Sequence, residues 1–266
     1  MFIWQTLDIT RANNYRRSAP MTSILNRRDI ASVIHNDTPN VDIAVYDANA
    51  GKLITYQTGS ISVNYTASIV KLSILVGILH KYGQLSSEQM ALAKAMMQQS
   101  DNEATQMLYE QLGSTGLQQV FVAYGMVHTQ LDPNDRWGLT RTTASDQMKL
   151  MKEIFVTSNS QFLSDDQKYY VKSLMNSAGV NQSQIWGLPK HAPKNVGMYV
   201  KNGWLPLDAD GDSNAVINSL SYVTTKNAAY CIVILSNEDN SQDAGFKMSN
   251  RVGQLVYNKF NVSVAK

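Results

Sequence analysis

The chain has 266 residues, of which 44% are hydrophobic, so one large domain or two intimately packed lobes can bury a sizeable core. The formal net charge is +2 with acids and bases interspersed, which asks for neither nucleic acid nor an anionic membrane as partner. A single cysteine, Cys231, excludes an internal disulfide framework and a cysteine-based zinc site, and no stretch reaches the ~20 apolar residues of a membrane span.

Residues 1–21 show little periodicity, end near Pro20 and read as an N-terminal arm. The arm is polar and lacks an apolar signal-peptide core, so the expectation is either a cytoplasmic protein or a processed or re-engineered start. Its dispersed arginines, Arg11, Arg16 and Arg17, with Arg27 and Arg28 beyond, read as a solvated face. Thr22 to His35 has apolar residues near helical spacing, with Thr22 as a candidate cap. Val41 to Tyr46 and Lys52 to Tyr56 alternate as strands around the turn residues Asp47 to Gly51, a hairpin. From Ser68 the character changes. Leu72 to Tyr82 reads as an apolar helix. Ser86 with Gln89 resembles a capping box that opens a helix to about Gln98. Asp101 to Leu112 is helical and stops at Gly113, and Gly116 to Tyr124 is a further helix. Pro133 to Thr140 reads as a loop. Thr143 to Phe155 and Ser164 to Ser177 are helices, the second with Asp165 and Asp166 in its first turn. Gly197 to Val200, Ala215 to Val223 and Ala229 to Leu235 are strand-like, and Asp243 to Phe260 is a closing helix. Cys231 lies in the last apolar run and reads as core. Asp208 to Asn214 superficially suggests a calcium loop, but its glycine is misplaced and no glutamate follows, so it reads as a polar connection.

Strands early and late with helices between predict an α/β (α+β sandwich) fold, an antiparallel sheet flanked by helices plus an all-helical lobe. Residues 22–66 and 190–266 would form the sheet lobe and 67–189 the helical lobe, with a site at their interface.

Three short motifs carry chemistry. Ser68 and Lys71 are three residues apart, on one face of a helix and at its start. A hydroxyl beside an amine held neutral can act as nucleophile and base, and the N–H of Ser68 can stabilise an oxyanion. About one Ser-x-x-Lys is expected by chance in such a chain, so the pair alone decides little. Ser100-Asp101-Asn102 follows, by itself a cluster of capping residues. Lys201-Asn202-Gly203-Trp204 comes third, directly after the strand-like Gly197 to Val200, by itself a strand end with a lysine.

In that order the three motifs resemble the Ser-x-x-Lys, Ser-Asp-Asn and Lys-Thr-Gly signature of class A β-lactamases and penicillin-binding proteins. The resemblance extends over nearly the whole chain and includes Trp137 to Thr143, similar to the segment closing that family's active-site loop. It implies a β-lactamase/transpeptidase-like fold and these roles. Ser68 is the nucleophile, Lys71 its base, and Ser100 the proton relay to the leaving amine. Asn102 holds the substrate amide and orients Lys71, and Lys201 attracts the substrate carboxylate, with Asn202, Gly203 and Trp204 beside it. The N–H groups of Ser68 and Trp204 form the oxyanion hole. A nearby Lys201 can also depress the pKa of Lys71. Ser rather than Tyr at position 100 favours this branch over the class C and esterase branches. No metal or organic cofactor is implied.

The departures are equally specific. Between Tyr124 and Thr143 there is no glutamate to activate a deacylating water; the only acids are Asp132 and Asp135, in a loop that looks shortened. Asn202 replaces the threonine whose hydroxyl meets the carboxylate, Trp204 is bulky, and the segment between Lys71 and Ser100 is short. The expectation is an acyl-Ser68 intermediate with β-lactam or D-alanyl-D-alanine-type amides that deacylates slowly. A genuine β-lactamase, a β-lactam-binding sensor without turnover and a scaffold with a vestigial site stay open. The partner is a small molecule or peptide with a carboxylate, the chain a monomer by default. By resemblance the protein works outside the cytoplasmic membrane, at the cell wall or in the periplasm, associated with peptidoglycan and antibiotics.

Overall fold

A computed structural model describes residues 25–60, 63–206 and 215–261. The expected arm at 1–21, the start of the first helix at Thr22 and the polar connection Asp208 to Asn214 lie outside the described residues.

The elements in chain order are α1 (Arg27–Ala31), β1 (Asn40–Asp47), β2 (Lys52–Gln57), β3 (Asn64–Tyr65), a 3-10 turn (Ala67–Ile69), α2 (Val70–Tyr82) and α3 (Ser87–Lys94). A π-turn (Ala95–Gln99), α4 (Asn102–Leu112), α5 (Ser114–Ala123), a 3-10 turn (Trp137–Leu139), β4 (Arg141–Thr142), α6 (Ala144–Phe155) and α7 (Asp165–Met175) follow. After a short 3-10 turn (Gln182–Gln184), β5 (Gly197–Leu205), β6 (Ala215–Thr224), β7 (Ala229–Asp239) and α8 (Gln242–Asn261) complete the chain.

Five strands form one antiparallel sheet in the order β2-β1-β7-β6-β5, so early and late strands do share a sheet. The sheet is covered on both faces, which is why β7 reads as an unbroken apolar run rather than an alternation. Cys231, Val233 and Leu235 face the core built with α2, α4, α5, α6 and α7. Tyr230, Ile232 and Ile234 face a second core closed by α1 and α8. In α8, Met248, Val252, Val256 and Phe260 recur every four residues as one buried stripe, each worth roughly 2 kcal/mol of burial. α2 is different: every residue from Val70 to Leu79 is buried, as expected of a helix running through the middle of a core.

Helix ends follow local chemistry. Ser86/Gln89 and Ser164/Gln167 form capping boxes, Thr143 caps α6, and Gly113 ends α4 with a left-handed φ of 77°. Three expectations need correction. The first described helix begins at Arg27, because Asn26 and Asp29 make the capping box there. The helix expected to run to about Gln98 changes to a π-turn at Ala95. The strand expected to end at Val200 continues to Leu205, paired with β6 from Gly197↔Thr224 to Leu205↔Val216, so Lys201 to Trp204 lie within an edge strand. A two-stranded ladder of β3 and β4 was not foreseen and ties the approach to Ser68 to the segment after Leu139.

Candidate active site

Ser68 is the middle residue of the turn that leads into α2. Asn218 of β6 fixes that turn by donating to the carbonyls of Tyr65 (2.7 Å) and Thr66 (3.0 Å), and the Thr66 N–H donates to Thr140 O (2.7 Å). Ala67 holds a left-handed φ of 48°, strain that persists only where surroundings over-determine it. Ser68 is half-buried and lines a cleft of about 420 Å³ with Asn102, Gln106, Asp135, Trp137 and Trp204. Among the described residues its hydroxyl makes no hydrogen bond.

In the first turn of α2, Lys71 has no solvent exposure. Its Nζ reaches the Ser100 carbonyl at 2.7 Å, Asn102 Oδ1 at 2.7 Å and Ser100 Oγ at 3.2 Å. Lys201 arrives from β5 and donates to Ser100 Oγ at 3.1 Å and to the carbonyl of Asn202 at 2.9 Å. The Ser100 hydroxyl therefore bridges two buried amines. Ser100 can do this because the π-turn ends in a left-handed residue (φ 55°), which turns both its carbonyl and its hydroxyl toward α2. The segment after it restarts as α4, capped by Asp101 Oδ1 on the N–H of Ala104 (2.8 Å).

Burial lowers the pKa of Lys71 to about 8, opposed by the negative charge of Asp101. Lys201 is pushed well below its ordinary value, first by burial and then by the charge of Lys71. Burial is the larger cause for Lys71, and the repulsion between the two amines, which share the Ser100 hydroxyl, disfavours charging both at once. A neutral Lys71 can still donate to the Ser100 carbonyl and Asn102 Oδ1 while its lone pair is left to accept a proton.

Gly203 explains the close approach of β5 to the turn. A Cβ there would lie 2.6 Å from Ser68 N, 2.8 Å from Ile69 N and 3.1 Å from Thr66 O, all backbone atoms. Trp204, 42% exposed, follows at the cleft mouth. Asn202 is where the expectation of substrate contact gives way. Its Nδ2 donates to the carbonyls of Gln184 and Trp186, both at 3.0 Å, it is buried, and its Oδ1 has no partner. Alternation along the strand turns it away from the side that carries Lys201 and Gly203, so it holds the 184–186 segment rather than lining the cleft.

The loop acids are both committed. Asp132 accepts from Arg136 Nε (3.0 Å) and Nη2 (3.1 Å), which holds its carboxyl below the usual range. Asp135, at φ 61°, lines the cleft but accepts from the Tyr109 hydroxyl. Neither hydrogen-bonds Ser68 or Lys71.

Sequence reasoning missed Asn218, Gln106, Asp101 as a charge acting on Lys71, and Trp137 as a neighbour of its amine. Gln106 lies four residues after Asn102, on the same helix face, and that spacing was a usable signal. Nothing local marks Asn218, which acts only through strand packing. Among the described residues no cluster of His, Cys, Asp and Glu suited to a metal is present.

A sequence model of the beta-lactamase enzyme family matches residues 85–260, which include Ser100, Asn102 and Lys201. No curated protein matches the chain. Among solved structures it is similar to a β-lactamase from Sphaerobacter thermophilus (12% identity, 90% of this chain and 97% of that one, TM-score 0.69). It is equally similar to PBP-A (20% identity, 92% and 98%, TM-score 0.69) and to a β-lactamase from Xanthomonas campestris pv. campestris (16% identity, 86% and 95%, TM-score 0.69). These likenesses show the α/β fold expected from the three motifs. The family match spans more than half of the chain and two of its three motif segments: the chain belongs to the beta-lactamase enzyme family.

Proposed function

We propose that the protein is an active-site serine acyl hydrolase or acyl transferase that forms an acyl-Ser68 intermediate with β-lactam or D-alanyl-D-alanine-type amides. One observation carries the reading: Ser100 Oγ lies 3.2 Å from Lys71 Nζ and 3.1 Å from Lys201 Nζ, one helical turn from a serine that opens on a cleft. In the acylation step Ser68 Oγ attacks the carbonyl carbon and its proton passes to neutral Lys71. The N–H groups of Ser68 and Trp204 stabilise the oxyanion. On collapse the C–N bond breaks, Ser100 Oγ gives its proton to the leaving nitrogen, and the proton on Lys71 replaces it. Lys201 is enclosed, so it acts on a substrate carboxylate through the Ser100 hydroxyl it holds and, when protonated, through its charge.

Asp132 and Asp135 are held by Arg136 and Tyr109, and among the described residues no other carboxylate lines the cleft to activate water, so deacylation is slow. Support comes from the neighbour PBP-A, a variant of which is described as an acyl-enzyme complex with penicillin G. A genuine β-lactamase is the second reading, favoured by Asp135 lining the cleft. We further read the site as lying between a helical lobe (67–189) and a sheet lobe (22–66 and 190–266) of a monomer working outside the cytoplasmic membrane.

The test is incubation with penicillin followed by intact mass. A lasting adduct on wild type that is absent in Ser68→Ala supports the first reading. A transient adduct with ring-opened product supports the second. No adduct, together with no turnover of a small activated ester, overturns both.

A further inference from the structure

Trp137 stands over Lys71. The amine lies 5.2 Å from the centroid of the indole ring, and no other aromatic ring covers it among the described residues. The indole is held on several sides. Its Nε1 donates to Gln106 Oε1 at 3.1 Å. The 3-10 turn it opens is fastened to the chain before Ser68 through Thr66 N–H on Thr140 O (2.7 Å) and Thr66 Oγ1 on Gly138 O (3.4 Å). Ahead of it, Arg136 grips Asp132 with two hydrogen bonds. The remaining faces of the amine are occupied by Ser100 and Asn102, and its exposure is nil.

We propose that the Trp137 indole is the cover that keeps water from the Lys71 amine and so sets the pH range in which that amine can act as a base. Trp137 is thus a positioning residue. The consequence for acylation rests on the function proposed above; the statement about the amine does not.

An indole has two opposing effects on a lysine. Its face attracts the ammonium and favours the charged form. Its bulk removes water, which disfavours it. With the amine already burdened by burial, the exclusion of water is the larger effect, and the direction of a titration shift decides between them. The other charged groups around the amine leave the sign intact. Asp101 at the start of α4 raises the pKa of Lys71, and Lys201 faces it from β5 across Ser100. In the loop Asp132 is paired with Arg136, and Asp135 is bonded to Tyr109. On α2 itself the basic residues His80 and Lys81 lie in the last turn, about two and a half to three turns away.

The experiment is a carbon-13 NMR titration of Lys71 Cε in the full chain, assigned with Lys71→Arg, in wild type, Trp137→Phe, Trp137→Ala and Gln106→Leu. Wild type should titrate near 8. Trp137→Ala should move the midpoint up by about one pH unit toward the solvated lysine value. Trp137→Phe should keep most of the depression, and Gln106→Leu, which only frees the indole, should give a smaller upward shift. Gln106→Leu and Trp137→Phe carry the test if Trp137→Ala does not fold. A midpoint unchanged or lowered in the variants, or near 10.5 in wild type, overturns the proposal. The pH dependence of acylation should move with the midpoint. A shifted titration in a protein that penicillin never acylates upholds the cover and overturns the acyl-enzyme reading instead.

Discussion

Replacing Gly203 by alanine tests the site with the smallest possible change. The added methyl would meet three backbone atoms, the nearest at 2.6 Å, and backbone cannot rotate aside as a long side chain can. To regain ordinary contact at 3.4 Å, β5 and the turn bearing Ser68 must part by roughly 0.8 Å. Two costs follow. Overpacking of this kind destabilises by about 1–3 kcal/mol. Misplacing a catalytic group by about 1 Å, or losing one oxyanion donor, slows chemistry by about 10²-fold or more. Gly203→Ala should therefore fold with a modestly lowered urea midpoint and form the penicillin adduct roughly a hundredfold more slowly. The acylation rate constant, rather than the apparent affinity, should carry the loss, because the cleft walls at Trp137 and Leu139 are untouched. A folded variant that acylates within about threefold of wild type refutes the reasoning: the approach of β5 to Ser68 would then be packing alone.

Asp101→Asn keeps the cap on α4, since asparagine caps as well as aspartate, but deletes the charge that opposes the depression of Lys71. The inflection of the acylation rate should move to lower pH, and an upward move would show that Asp101 acts through geometry. Asp239 is a separate case, on the sheet. Burial raises its pKa to about 7 from 3.8, although Ser236 Oγ donates to it at 2.6 Å. A carboxyl raised in the folded state binds its proton more tightly there than in the unfolded chain. Stability is therefore lost as pH climbs from about 4 to about 7 and is level beyond. Asp239→Asn should remove that slope, so urea unfolding should show the variant gaining on wild type by up to about 4 kcal/mol between pH 4 and pH 8. A pH-independent difference would mean that Asp239 is ionised without penalty.

What the sequence made legible was local or periodic. The capping boxes at Ser86 and Ser164 can be read because both partners lie within four residues. The α8 stripe can be read because burial repeats with the helical period, and β7 because a doubly covered strand is apolar throughout. The segment Lys201 to Trp204 misled for the opposite reason. Lysine, asparagine and glycine are poor strand formers, and only the ladder to β6 holds them extended. The direction of Asn202 was equally hidden, because alternation sends it toward Gln184 and Trp186, which no motif links to it. The residue types at 68, 71, 100 and 201 were legible as chemistry. That Lys71 and Lys201 meet on the Ser100 hydroxyl was not, since it depends on a π-turn and a left-handed serine that no propensity signals.

That π-turn gives Lys71 a second physical task. A helix leaves its last carbonyls without intrahelical partners, and these carry partial negative charge. Here the segment ends at Ser100, whose N–H bonds back to the carbonyl of Ala95 but whose own carbonyl points outward into a dry interior. The Lys71 amine satisfies it at 2.7 Å. This contact closes a helix end, and it does so with either a charged or a neutral amine. Loss of that donor leaves the carbonyl of Ser100 without its partner, at about 1–3 kcal/mol, whereas Asn102 is exposed and its Oδ1 can turn to water. Of the four non-glycine left-handed residues among those described, three, Ala67, Ser100 and Asp135, also stand around this cleft. Strain of that order in one place persists only against a rigid frame, and the sheet packed on both faces supplies it. A lysine that also caps a strained turn cannot drift from its partners while the fold holds, so the amine stays aligned with Ser100 in the absence of any substrate.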